Sequence, residues 1–143
     1  MKIEGTSHLE AAPATVWAAL QDPVKLQACI PGCQRLEETD DDHYVAAAEL
    51  TVAGIKGRYE GEIRITDREP GVGFVLHMTG EGGPGIVEGQ IRIIVAADGT
   101  GTLLSYDGQV NVGGRIARVG QRVLSGVSKL LLGQFIRCLS IQL

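Results

Sequence analysis

The sequence predicts an α+β fold in which one long C-terminal helix lies against a curved antiparallel sheet. Three observations carry this. From Arg115 to Ile141 there is no proline, and apolar residues fall at Ile116, Val119, Val123, Val127, Leu130, Leu131, Phe135, Cys138 and Leu139. Steps of three and four place these on one stripe of a helix, which would be about 40 Å long. Ahead of it, apolar and small residues alternate with charged ones in runs bounded by Gly, Pro and Asp, the period of strands joined by tight turns. Near the start, Pro13 and Asp22-Pro23 open two short helical segments between the first strands.

In chain order, Lys2 to Leu9 alternates weakly and reads as a first strand. Pro13 suits the first position of a helix whose buried face is Val16, Trp17 and Leu20, because its missing N–H would be unpaired there anyway. Asp22 caps a second short helix that runs through Ala28. Cys29-Ile30-Pro31-Gly32-Cys33 marks a tight turn into a strand over Gln34 to Glu37, and Thr39-Asp40-Asp41-Asp42 is an acidic hairpin.

From His43 the alternation is clear. Tyr44, Ala46, Ala48, Leu50 and Val52 share one face, followed by Ile55, Gly57, Tyr59, Gly61, Ile63 and Ile65 on the next strand. Lys56, Arg58, Glu60, Glu62 and Arg64 occupy the opposite parity, so one face of the sheet is wet. Phe74, Leu76 and Met78, then Val87, Gly89, Ile91, Ile93 and Val95, then Leu104, Tyr106, Gly108, Val110 and Val112 continue the inner face. Gly80 to Gly85 is expected to be a flexible hairpin, able to act as a lid if it borders a cavity. Gly113-Gly114 ends the last strand.

The order β-α-α-β-β-β-β-β-β-α, with consecutive hairpins, gives a meander that curls and leaves its hollow side for the helix. That is the helix-grip (START/Bet v 1-like) architecture, here as a single domain over residues 1–143. The chain has 20 glycines and only 4% aromatics. An inner face so rich in Ala, Gly and Val leaves a hollow or packs unusually closely.

A net charge of −4 opposes nucleic acid as a partner, since phosphate binding needs a basic surface. The C-terminal helix departs from that balance with Arg115, Arg118, Arg122, Lys129 and Arg137 and no acid. Two readings stand: a solvated face, or a docking surface for anionic lipid or an acidic protein. Met1-Lys2-Ile3-Glu4-Gly5 leads straight into structure and reads as no signal peptide. A cytoplasmic location is expected, with the three cysteines as reduced thiols.

Several stretches resemble the carbon monoxide dehydrogenase G-subunit family of the START-like superfamily. They are Val16-Trp17 with Leu20-Gln21-Asp22-Pro23, Cys29-Ile30-Pro31-Gly32-Cys33, Ile55-Lys56-Gly57-Arg58-Tyr59-Glu60-Gly61 and Val112-Gly113-Gly114-Arg115-Ile116-Ala117-Arg118-Val119-Gly120. The resemblance covers essentially the whole chain. It implies an apolar cavity, association with a molybdenum hydroxylase of the carbon monoxide dehydrogenase or xanthine dehydrogenase type, and a link to the inner face of the cytoplasmic membrane. Family members often carry a linker and an apolar C-terminal segment for membrane attachment, whereas this sequence ends at Leu143, so attachment through this chain is not expected to be permanent.

The expected ligand site is the inner face: Tyr44, Ala48, Leu50, Tyr59, Ile63, Phe74, Leu76, Met78, Ile91 and Tyr106 on the sheet, with Val123, Val127, Leu131 and Phe135 on the helix. The three phenols either bond groups at the rim or donate to a ligand oxygen, for which a quinone is suitably flat and apolar. No metal is expected, since Cys29 and Cys33 lack further ligands at a zinc spacing; their turn reads as structural. No cofactor and no catalysis are expected either, because the charged residues fall on outward positions and leave no acid–base pair facing inward; the less favoured alternative, a START-like hydrolase or cyclase, would need such a pair.

Overall fold

A computed structural model describes residues 1–52 and 54–143, and the Val52 side chain assigned to the inner face lies outside what it describes. Among these residues the elements are β1 (Lys2–Leu9), α1 (Pro13–Leu20), α2 (Pro23–Cys29), β2 (Cys33–Asp40), β3 (His43–Val52), β4 (Ile55–Glu69), β5 (Gly73–Gly82), β6 (Gly85–Asp98), β7 (Gly101–Gly113), a 3-10 turn (Arg115–Val119) and α3 (Gln121–Gln142). The strands form one antiparallel sheet in the order β1-β7-β6-β5-β4-β3-β2. Every hairpin neighbour pairs, and β1 closes the far edge against β7 with Ile3 opposite Gly108 and Gly5 opposite Tyr106.

The two short helices start as their sequences require. Pro13 and Pro23 occupy first-turn positions, and the Asp22 carboxylate accepts from the Val24 N–H at 3.0 Å. Val16, Ala19 and Leu20 are buried against the sheet, and Trp17 meets Phe74 edge to face with ring centroids 5.7 Å apart. Thr102, wholly buried, donates its hydroxyl to the Ala11 carbonyl at 2.7 Å and ties the start of α1 to β7.

The core sits at this end of the molecule. Leu9, Leu20, Leu36, Tyr44, Ile65, Phe74, Val95, Leu104 and Leu139 form it, with Phe135, Ile136 and Leu143 of the C-terminal segment packed on top. Only one end of α3 therefore reaches the core.

Three expectations need correction. The C-terminal helix does not run unbroken from Arg115. Gly120 takes φ 94, a left-handed conformation that side chains avoid, and separates the 3-10 turn from an α-helix of 22 residues, about 33 Å long. A helix that restarts at Gln121 does not continue the stripe begun at Ile116, and Val123 and Leu130 are 41% and 60% exposed.

The Gly80–Gly85 segment is not a loose hairpin. Strand pairing continues to Gly82 opposite Gly85, and Pro84 is fully buried. The Pro84 carbonyl accepts from the Ile116 N–H at 2.8 Å, so the hairpin is fastened to the 3-10 turn.

Nor are all three thiols free. Cys29 and Cys138 form a disulfide with Cα atoms 5.3 Å apart, and Cys33 alone is free. The partners lie 109 residues apart, a pairing that local spacing around Cys29 and Cys33 does not reveal. The bridge fixes α2 to the C-terminal half of α3.

Closing a loop of that length removes roughly 4–5 kcal/mol of unfolded-state entropy on the chain-entropy account. Cys138→Ser, or reduction, is therefore expected to lower unfolding free energy by about 2–5 kcal/mol in urea titrations. Thiol titration of the denatured oxidised protein should find one group.

Candidate functional site

One row of residues crosses five strands on the concave face. Cys33 pairs with Ala48, Ala48 with Tyr59, Tyr59 with Gly82, and Gly82 with Gly85. At one end of the row, Ile30-Pro31-Gly32-Cys33 forms a turn closed by the Cys33 N–H to the Ile30 carbonyl at 3.1 Å. Gly32 has φ 72, the value that the third position of a type II turn demands. Its carbonyl accepts from the Glu49 N–H at 2.9 Å, which seats the turn on β3, and Leu50 packs against it. At the other end, Gly114 lies against Gly85 and Ile116 is buried under the hairpin.

Tyr59 stands at the centre of this row, flanked on its own strand by Gly57 and Gly61. A β-carbon on Gly57 would collide with the buried Pro84 ring, so that position is filled from the hairpin. A β-carbon on Gly80, opposite Gly61, would meet nothing within 4 Å. Space therefore opens beside Tyr59 toward the middle of the sheet.

The same space continues under α3. Ile63, Leu76, Met78 and Tyr106 on the sheet and Val127 and Leu131 on the helix face inward yet are only half-buried. A packed core would bury them, so the face of the sheet beneath the first half of α3 is incompletely covered and is the candidate cleft. Among the described residues of α3, only Leu139 is fully buried.

Not every expected site residue lines the cleft. Tyr44 and Phe74 belong to the packed core, with Ile63, Leu76 and Phe135 at its border, and Ile91 is buried between Leu76 and Gly108. Ala48 and Leu50 are half-buried near the Pro31-Gly32 turn, and Val123 is exposed. Tyr59, Met78, Tyr106, Val127 and Leu131 remain around the opening.

The phenols differ in surroundings. Burial, with Glu38 beside it, pushes Tyr44 above the ordinary phenol pKa. Tyr106 lays its ring across Gly5 of the edge strand. The Tyr59 hydroxyl is withdrawn from solvent and has no hydrogen-bond partner among the described residues. Burial raises its pKa, and the nearby Arg115 cation offsets part of that rise. An unpaired buried hydroxyl costs about 1–3 kcal/mol.

Sequence reasoning did not single out Arg115 for this site, or the Gln21 Nε2, a second buried polar atom without a partner among the described residues. The position of Arg115 directly after Gly113-Gly114 was the available signal. Two other hollows open to solvent, one on the convex face lined by Val75, Gln90, Arg92 and Asp107, the other between β1 and α3 lined by Ser7, His8, Ile136 and Arg137. Tyr59 lines neither, so the face beside it is the stronger candidate.

With this geometry in place, the chain compares closely with known proteins. It matches the carbon monoxide dehydrogenase G-subunit (CoxG) family over residues 5–143. It belongs to that family. Of the stretches in which the sequence resembles that family, Cys29–Cys33, Ile55–Gly61 and Val112–Gly120 lie along or beside the Tyr59 row, while Val16-Trp17 and Leu20–Pro23 lie in α1 and at the start of α2.

A conserved protein from Geobacillus kaustophilus of known structure is 36% identical, with 99% of this chain and 94% of that one aligned at a TM-score of 0.95. Ara h 8.0201 aligns over 98% of this chain and 95% of its own at 15% identity and TM-score 0.71. The ZhuI aromatase/cyclase from Streptomyces sp. R1128 aligns over 99% and 92% at 15% identity and TM-score 0.66. These two distant likenesses establish the helix-grip fold alone. A comparison with curated proteins finds no match.

The raised phenols set an alkaline limit. Above the ordinary phenol pKa the unfolded chain releases these protons first and binds fewer than the folded one, so stability falls as pH rises through that range. Urea unfolding at neutral and at strongly alkaline pH should show this decline, and Tyr44→Phe or Tyr59→Phe should each make it shallower.

Proposed function

We propose that this CoxG-family chain is a non-catalytic accessory protein that binds an apolar small molecule, quinone-like or lipid-like, beneath α3. On this reading it serves a molybdenum hydroxylase of the carbon monoxide dehydrogenase type. It works in the cytoplasm and, peripherally, at the inner face of the cytoplasmic membrane. The observation that carries ligand binding is the half-filled concave face: inward apolar residues opposite the first half of α3 stay half-buried, and Gly80 faces open space. Apolar surface left this way is a standing cost that a hydrophobic ligand removes, at about 25 cal/mol per Å² covered. Family membership supports the enzyme partner.

A second reading, a docking module without ligand, is favoured by the charge layout. All 17 acids precede Gly113, while five of the 13 cations follow it. Beside those cations α3 exposes Leu130 and Ile141, the latter at 77%. Basic residues next to exposed apolar ones suit an anionic lipid surface.

The neutral fluorescent probe N-phenyl-1-naphthylamine separates the readings. The ligand-binding reading expects bright, saturable binding, and about tenfold weaker binding in Gly80→Leu or Val127→Trp with the melting temperature retained. It also expects a molybdenum hydroxylase to co-purify from the native host. A dark probe, together with binding to phosphatidylglycerol vesicles that high salt abolishes, would favour docking alone.

A further inference from the structure

We propose that Tyr59 and Arg115 form the polar pole of the cleft, recognising an acceptor oxygen, carbonyl or carboxylate, at one end of the ligand while its apolar remainder lies beneath α3. This rests on the reading that the cleft binds an apolar molecule.

The Tyr59 hydroxyl is buried and unpaired among the described residues, a cost that persists unless something in the cleft accepts its proton. Small residues surround it: Gly61 on its strand, Ala48 and Gly82 across from it. The open space at Gly80 adjoins it. Arg115 follows Gly114, which lies against Gly85 at the end of the Tyr59 row, and is itself exposed, so the pole stands at the rim, where a polar head stays near water. A cation there disfavours a donor group and favours an electron-rich oxygen. The carboxylates of β4 and β5 closest in sequence, Glu60 and Glu81, sit opposite each other in the register on the other parity and do not share this face.

The 3-10 turn that carries Arg115 is fastened to the β5–β6 hairpin. The Ile116 N–H bonds Pro84, and Pro84 fills the space over Gly57 two residues from Tyr59. The phenol and the backbone that carries Arg115 are thus set on a common, fastened base.

Displacement of N-phenyl-1-naphthylamine by decanoate, 2-decanone and naphthalene tests the pole. Tyr59→Phe should weaken decanoate and 2-decanone about tenfold, the loss of one hydrogen bond, and leave naphthalene and the probe unchanged. Arg115→Gln should weaken decanoate more than 2-decanone. Ligand-free Tyr59→Phe should melt at the same or a higher temperature, since it removes an unpaired group. If the variant binds both oxygen ligands like the parent while the probe still binds, the pole is wrong and the cleft stands. If the variant melts lower, the hydroxyl is structural and the pole is equally wrong. If the parent fails to bind the probe, the cleft and its pole both fall.

Discussion

Helix α3 is secured at its two ends and scarcely between them. At its C-terminal end the Cys29–Cys138 disulfide and the burial of Leu139 fix it to α2 and the core. At the other end the chain is anchored before the helix starts, where Ile116 binds the Pro84 hairpin. The helix must bridge these anchors, and its first half leaves Val127 and Leu131 only half-buried over the sheet. An ordinary amphipathic helix is stabilised by burying its apolar stripe along its length. Here that contribution is concentrated in the last turns, where Leu139 is the one fully buried residue among the described residues of α3.

The sequence showed the fold well because the fold is written in local signals. Alternation through Ile55–Ile65, proline at the starts of α1 and α2, and Pro-Gly, Asp-Gly and Gly-Gly breaks all act over a few residues. What it showed poorly depends on distance. Cys138 meets Cys29 across nearly the whole chain, and no spacing rule connects them. Pro84 looked like part of a loose glycine hairpin because the surfaces that bury it, Gly57 and Ile116, come from other elements.

The inner face was legible as a set and not as a site. Parity places Tyr44, Tyr59 and Tyr106 on the same side, yet one is in the core, one has no partner among the described residues, and one covers an edge-strand glycine. Parity fixes direction only. Where along the strand the core ends and the opening begins is decided by how far α1, α2 and the last turns of α3 extend over the sheet, and that is a tertiary quantity.

The two glycines within α3 carry a mechanical consequence. Gly126 and Gly133 are seven residues apart, with room at both for a larger side chain. Alanine at each would favour the helix by about 1 kcal/mol. Without it, the span between the anchors is held by a weaker hydrogen-bonded ladder than its length allows. A helix of that kind bends more readily between its two anchors than one with alanine at both positions would.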